Sequence, residues 1–175
     1  KYRLESARWG TTLAEESLRD VQRQLEFSLR ASFTAMLVAK SSLQLAQDNL
    51  ATYQETVRLN EIRLKAGDIS PTDYDRIYGE KARFESDLLN AQLALDQART
   101  QLKTLLGRPD LPETLDVQGE LAAPELSVTL EELVAKGLAS RPDYLAARDA
   151  VRKAEADARL AVANGATDIS VGGEY

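Results

Sequence analysis

The sequence predicts an all-α protein: a long antiparallel coiled-coil hairpin, then a shorter helical unit, ending in the start of a β-strand. Three observations favour this fold class. Residues 11–66 contain neither Pro nor Gly, whereas an average helix has only about 11–12 residues. Apolar residues recur there at alternating steps of three and four. Hydrophobic residues make up 43% and charged residues 29% of the 175-residue chain, but aromatic residues only 6%, a composition typical of long helices.

The first predicted helix carries two interleaved columns of residues at seven-residue spacing. The first column is large and aliphatic: Leu29, Met36, Leu43, Leu50, Val57 and Leu64. The second is mostly small or polar: Leu25, Ser32, Ala39, Ala46, Tyr53 and Asn60. Together they form a heptad seam, whose small residues let a neighbouring helix approach closely. About 55 residues would give a rod of roughly 80 Å.

A tight turn is signalled directly after this helix. Gly67 suits the left-handed position that ends a helix. Ser70 fits an N-cap, Pro71 fits the first helical position, and Asp73 completes a reciprocal pair resembling a capping box. Because the connection is so short, we expect the two helices to form an antiparallel hairpin.

The second helix is predicted from Pro71 to about Leu106. Its seam consists of Ile77, Phe84, Leu88, Ala91, Leu95, Ala98, Leu102 and Leu105. It is shorter than the first helix, so we expect another neighbour for the N-terminal part of the first. Gly79 costs helix stability and is interpreted as a close-packing site.

Four regions are predicted: the hairpin in residues 1–107, a connector in 108–128, a helix pair in 129–165 and a strand start in 166–175. The connector has one basic and five acidic residues and is interpreted as solvated rather than cation-binding; residues 115–117 could be extended. The helix pair begins at a capping box of Thr129 and Glu132. We expect Ser140 to cap its second helix with Asp143 at the third position, and the pair Asn164 and Gly165 to end it.

The composition excludes several kinds of chemistry. The chain has no Cys and no His, so it offers no disulfide, no thiolate or imidazole metal ligand and no Ser-His-Asp triad. Asp73 and Asp75 lie on different helix faces and do not converge. The net charge of −6 argues against nucleic acid as a partner. We therefore predict no enzyme, no cofactor and no metal site. Tyr2 and Trp9 are either a membrane-interface anchor or packing aromatics.

Taken in order, the motifs resemble the TolC-like outer membrane factor family, the exit ducts of tripartite efflux pumps and type I secretion systems. The resemblance rests on residues 43–46 with Tyr53, on 63–73 at the turn, and on 91–95, 105–109, 138–147 and 172–175. Residues 166–168 depart from it, because the family often has Pro-Asp before the strand. The opening residues 1–3 with Ala7 are similar to the heavy-metal (cobalt-zinc-cadmium type) branch.

The resemblance implies a trimer with a β-barrel in the outer membrane and an α-barrel across the periplasm. This chain would be a periplasmic fragment, reaching the membrane only through segments outside it, and a passive conduit for small molecules or metal ions. Its hairpin tip would dock a periplasmic adaptor and, through the complex, serve an inner-membrane pump. The implied docking residues are Ala66, Gly67, Asp68, Ile69, Ser70, Pro71, Thr72 and Asp73.

Two alternatives stay open at this point. One is the coiled-coil hairpin of a periplasmic adaptor (membrane fusion) protein, although adaptors carry β segments on both sides of the hairpin and residues 129–165 indicate helix. The other is a structural coiled-coil protein, in which residues 169–175 would be disordered.

Overall fold

The computed structural model describes residues 2–122 and 127–165. These ranges contain four helices and no strand: α1 (Tyr2–Ala66), α2 (Pro71–Leu105), α3 (Leu130–Ser140) and α4 (Pro142–Asn164). The predicted all-α fold class is therefore confirmed for this part of the chain. The strand expected in 166–175 lies outside the described residues.

The chain folds into two compact units, and α1 contributes to both. The hairpin unit contains the described residues 27–122, and the α4 unit contains residues 2–26 and 127–165. Helix α1 has 65 residues and begins at Tyr2, so it extends beyond the stretch of residues 11–66 that lacks Pro and Gly. Gly10 does not interrupt it, because a single Gly costs a helix only about 1 kcal/mol.

The heptad seam predicts the core of the hairpin unit. All six residues of the aliphatic column and five of the six in the second column are buried or half-buried. The exception, Leu25, is 50% exposed and falls outside the hairpin unit. All eight seam residues of α2 are likewise buried or half-buried. The best-buried apolar cluster combines both helices with the connector: Met36, Leu37, Ala39, Leu95, Leu102 and Val117.

The end of α2 is fixed by a left-handed glycine. Gly107 has φ +64°, and its N–H donates to the Thr104 carbonyl at 3.0 Å. The next N–H, of Arg108, donates to the Lys103 carbonyl at 3.1 Å. These two bonds form the Schellman pattern that satisfies the last carbonyls of a helix.

The sequence indicated a solvated connector, but the described part of the connector packs against the hairpin. Val117 is 7% exposed, and Leu115 packs against the same apolar cluster. The Lys40 ammonium lies 2.5 Å from the Asp116 carboxylate. The segment therefore docks on the hairpin through apolar burial and a charged contact.

In the α4 unit, α4 supplies the second neighbour expected for the N-terminal part of α1. The guanidinium of Arg159 lies 3.3 Å from the Glu5 carboxylate, and the Ser6 hydroxyl donates to Asp157. Arg152 lies over the Trp9 ring, 5.0 Å from its centroid. These contacts run antiparallel along the two helices.

The predicted capping of the helix pair is right at one end and wrong in the middle. The Thr129 hydroxyl accepts from the Glu132 N–H at 3.2 Å, and the Glu132 carboxylate accepts from the Thr129 N–H at 3.0 Å, which confirms the capping box. Ser140 is instead the last residue of α3, and Arg141 is the N-cap of α4, although its side chain does not cap the helix. Asp143 is thus the second residue of α4. A residue that precedes Pro is pushed out of the helical region, so Arg141 breaks the chain between the helices.

Helix α4 ends where the sequence indicates, after Asn164. Gly165 caps it in a right-handed conformation, with φ −77°. The predicted position is confirmed, but this end does not use the left-handed freedom of glycine.

Candidate functional site

The candidate site is the tip, residues 66–73, where the chain turns from α1 into α2. Gly67 adopts φ +83° and its N–H donates to the Leu64 carbonyl at 3.0 Å. The Asp68 N–H donates to the Arg63 carbonyl at 2.9 Å. This is again the Schellman pattern, so the backbone leaves α1 along a defined path.

The start of α2 fixes the other side of the tip. The Ser70 hydroxyl accepts from the Asp73 N–H at 3.1 Å, and Pro71 occupies the first turn. The return bond differs from a capping box, because the Asp73 carboxylate accepts from the Ser70 hydroxyl at 2.7 Å rather than from its backbone. Hydrogen bonds at the end of α1 and at the start of α2 thus fix the backbone of the four residues between the helices, 67–70.

The surface of the tip is small, polar and accessible. Ile69 is half-buried, whereas the other seven tip residues are exposed. Among the described residues, no side chain pairs with the Asp68 carboxylate. On the α1 side, the hydrogen bond from Lys65 to Glu61, 2.6 Å long, raises the pKa of Lys65. Such a tip can present backbone groups, a hydroxyl and one free carboxylate to a partner.

Aromatic side chains brace the hairpin behind the tip. The rings of Tyr53 and Phe84 stack with centroids 4.4 Å apart, and the Tyr53 hydroxyl donates to the Ile77 carbonyl at 2.9 Å. Tyr74 and Tyr78 stack along α2 at 6.0 Å. The bond from Tyr53 to the Ile77 carbonyl thus joins the two helices behind the tip.

Neither a metal centre nor a membrane helix is found in the described residues. No group of three or more acidic, His or Cys side chains converges there to hold a metal ion. No described helix is both long and apolar enough to cross a membrane.

Two sequence interpretations can now be decided or corrected. Trp9 packs beneath the Arg152 guanidinium, which supports the packing role over a membrane anchor. Gly79 is not a close-packing site within the described chain, since nothing there lies within 4 Å of a Cβ built at this position. A small residue signals close packing only if a neighbour lies beside it, and the sequence does not show where neighbours are.

A second apolar stripe, which the sequence analysis missed, runs along the exposed side of the hairpin. On α1 it consists of Val38, Leu45, Leu59 and Ile62, and on α2 of Tyr78, Leu89 and Leu93; each is 47% to 70% exposed. At 100° per residue, Ile62 and Leu93 of this outer stripe lie opposite the buried seam, the other residues lie on its flanks, and Tyr78 lies closest to it. The seven-residue spacing between Val38 and Leu45 could have indicated this stripe in the sequence. Both helices thus have apolar residues on two faces.

Comparison with known proteins identifies three informative relatives. The chain is 30% identical over 160 residues to the cobalt-zinc-cadmium resistance protein CzcC of Cupriavidus metallidurans, covering 91% of this chain and 37% of CzcC. It is 28% identical over 155 residues to the cation efflux system protein CusC of Escherichia coli K12, covering 87% of this chain and 33% of CusC. The proteases secretion protein PrtF of Dickeya chrysanthemi is 29% identical over 97 residues, covering 55% of this chain and 21% of PrtF.

The chain therefore spans between about a fifth and somewhat over a third of the length of these relatives. No solved structure matches it. The family model described as outer membrane efflux protein matches residues 1–108, which is more than half of the chain and includes all of α1 and α2. The names of CzcC and CusC agree with the predicted heavy-metal branch. The chain belongs to the outer membrane efflux protein family.

Proposed function

We propose that this chain forms part of the periplasmic α-barrel wall of a trimeric efflux channel in the outer membrane. The observation that carries the proposal is the family match, because it covers the whole hairpin. Family membership confirms the predicted location at the outer membrane, and a periplasmic helical portion fits it. The family consists of transport proteins, which supports the prediction that the chain is not an enzyme. Solutes would pass along the wall without a change of covalent bonds.

The two apolar faces of the hairpin support the role of a wall. A helix that packs on one side only needs a single apolar face. Here α1 and α2 bury a seam against each other and also expose the outer stripe. A closed ring of helices requires each helix to contact a neighbour on both sides. The outer stripe is therefore the surface proposed to contact neighbouring helices of the assembled channel.

We further propose that the tip docks the hairpin of a periplasmic adaptor, which links the channel to an inner-membrane pump. The exposed tip backbone, the Ser70 hydroxyl and the free Asp68 carboxylate would contact the adaptor. The rigid helix ends on both sides support this role, since a preformed surface loses little entropy on binding.

The proposed cargo is a metal cation. CzcC is named for resistance to cobalt, zinc and cadmium, and CusC for cation efflux, and both align with more than four-fifths of this chain. PrtF is named for secretion of proteases and aligns with a smaller share.

Site-specific crosslinking tests the docking role. The chain has no native Cys, so Asp68→Cys or Ser70→Cys introduces a single thiol at the tip of the full-length protein. With a co-expressed adaptor, we expect capture from both positions. The matched control is Ser28→Cys, an exposed position on α1 distant from the tip. Capture from Ser28→Cys but from neither tip position would contradict docking by the tip.

A transport assay tests the cargo. Deleting the complete gene should raise the cellular content of zinc, cobalt or cadmium under metal stress, and the intact gene should restore it. Unchanged metal content together with loss of a secreted protease would replace the metal with a protein cargo. The family membership also argues against the two alternatives, an adaptor hairpin and a structural coiled coil, because neither is an outer membrane efflux protein.

A further inference from the structure

A short segment after α2 lies against both helices of the hairpin. We call residues 112–119 the strap. Its Val117 side chain enters the best-buried cluster beside Leu37 and Leu102, and Leu115 packs at the edge of that cluster. A Cβ built at Gly119 would lie 3.3 Å from Leu37 Cδ1, so the strap approaches α1 closely there. The strap is thus a third packed element of the hairpin unit.

Helix α2 binds the strap through Arg99. Its Nε donates to the Leu115 carbonyl at 2.8 Å, while its Nη1 donates to the Asp96 carboxylate at 2.7 Å. The Arg99 side chain is only 18% exposed. Asp96 binds the Arg99 guanidinium on one side and so orients the Arg99 Nε–H toward the Leu115 carbonyl.

Helix α1 binds the strap through Lys40. The ammonium donates to the Val117 carbonyl at 3.2 Å and to the Asp116 carboxylate at 2.5 Å. The same contact lowers the pKa of Asp116. Both residues are exposed at their tips, so this side of the strap is open to solvent.

We propose that the strap is a clasp that holds α1 and α2 together at the end of the hairpin far from the tip, and that Lys40 and Arg99 keep it closed. The two basic residues come from different helices and bind carbonyls two residues apart on one segment. Releasing the strap would remove Val117 from the core and both cationic groups from their acceptors. The clasp then opens as a unit.

The geometry of the hairpin explains why a clasp is needed. The turn connects the helices covalently at the tip alone, and Lys40 lies 26 residues before Ala66, roughly 39 Å along the helix. Between these points the helices meet along a narrow seam of two columns, with the Tyr53 contacts on its tip side. A repetitive Leu and Ala seam also tolerates a shift by one repeat better than a contact that occurs once. The strap contacts occur once, so they fix the spacing and the register at this end of the hairpin, as the hydrogen bond from Tyr53 to Ile77 does nearer the tip.

The experiment compares variants of the full-length protein by amide hydrogen exchange. The clasp variant is Lys40→Met with Arg99→Met, which keeps an unbranched apolar side chain at both positions but removes the donors. The matched control is Lys81→Met, which breaks a 3.0 Å ion pair with Glu85 on α2 away from the strap. We expect exchange of the Leu115 amide, whose N–H donates to the Pro112 carbonyl at 3.1 Å, to rise at least tenfold in the clasp variant and less than twofold in the control.

A distance measurement separates clasp opening from local fraying. Spin labels at Thr34 and Gln101, both exposed, report the spacing of α1 and α2 near the strap. We expect the distance distribution to broaden in the clasp variant, with unchanged exchange at the tip. If the double variant fails to fold, Asp116→Asn weakens one strap contact and should raise exchange of the Leu115 amide by several-fold. Unchanged exchange and spacing would overturn the proposal. Because neither readout involves an adaptor or cargo, such a failure would leave the proposed function intact.

Discussion

Gly67 and Gly79 have opposite effects on the stability of the hairpin. Gly67 adopts φ +83°, a conformation that costs other residues about 1–2 kcal/mol. Gly79 lies in the interior of α2 with ordinary helical backbone, and nothing in the described chain approaches its missing Cβ. The turn depends on the first glycine, whereas the second lowers the stability of α2.

Alanine substitutions should therefore act in opposite directions. We expect Gly67→Ala to lower the free energy of unfolding of the hairpin by about 1–2 kcal/mol, because the backbone strain remains. Gly79→Ala should raise it by about 1 kcal/mol, the difference in helix propensity. Chemical denaturation of the 175-residue chain measures both changes. A loss at both positions would show that Gly79 faces a neighbour.

A charged pair at the start of α4 makes stability depend on pH. The hydrogen bond from Arg141 lowers the pKa of Asp143 from 3.8 to about 2. A carboxylate whose pKa is lowered by folding stabilises the folded state above its unfolded pKa, and this contribution disappears as the pH falls through the folded value. The stabilisation is therefore complete above about pH 4 and is lost toward pH 2.

Removing the arginine should move the titration of Asp143. We expect Arg141→Gln to return the pKa of Asp143 toward 3.8, because the principal stabilising hydrogen bond is gone. Carboxyl carbon NMR shifts recorded from pH 5 to pH 1.5 measure this directly. Titration of Asp143 at the same pH in both proteins would show that Arg141 is not the cause.

The capping of the helices decides where each element begins. Helix α3 has no buried residue and one complete capping box, so its stability depends strongly on Thr129. Ser140 matches the pattern of an N-cap but donates its hydroxyl to the Lys136 carbonyl at 2.7 Å. Thr129 and Ser140 both carry a hydroxyl group, but only Thr129 caps a helix.

Substitution of both residues tests this difference. Thr129→Ala should cost about 1 kcal/mol, and exchange of the first-turn amides of α3 should rise about fivefold. Ser140→Ala should change exchange at the start of α4 by less than twofold, because Arg141 forms the cap. Equal effects at the two helix starts would restore Ser140 as a cap.

The seams of α1 and α2 could be predicted from the sequence because a helix repeats locally, so residues seven apart report the same face. The tip was predictable for the same reason, since Gly67, Ser70 and Pro71 act on their own backbone. The strap was not, because Lys40 and Asp116 are 76 residues apart and no periodicity links them. The prediction that Ser140 caps α4 was wrong. Pro142 keeps the residue before it, Arg141, out of the helical region, so Arg141 rather than Ser140 is the N-cap.

Different interactions stabilise the interior of each of the two units. The hairpin unit buries a contiguous apolar cluster between α1, α2 and the strap. In the α4 unit the buried apolar residues of α4 are Ala146 and Ala156, while the charged residues Glu16 and Asp149 are also buried. One oxygen of the Glu16 carboxylate has no partner among the described residues. Apolar burial stabilises in proportion to area, whereas partly exposed ion pairs contribute little and are screened by salt.

We therefore expect salt to distinguish the two units. Exchange of α4 amides should be faster than exchange at the seam around Met36 and Leu95, and raising NaCl from about 0.05 to 1 M should accelerate it several-fold, because the Debye length falls from over 10 Å to about 3 Å. The seam amides should change by less than twofold. Arg159→Gln, which removes the contact with Glu5, should raise α4 exchange at low salt and reduce its salt dependence. An equal response of both units would show that α4 is held by apolar contacts as strong as those of the hairpin.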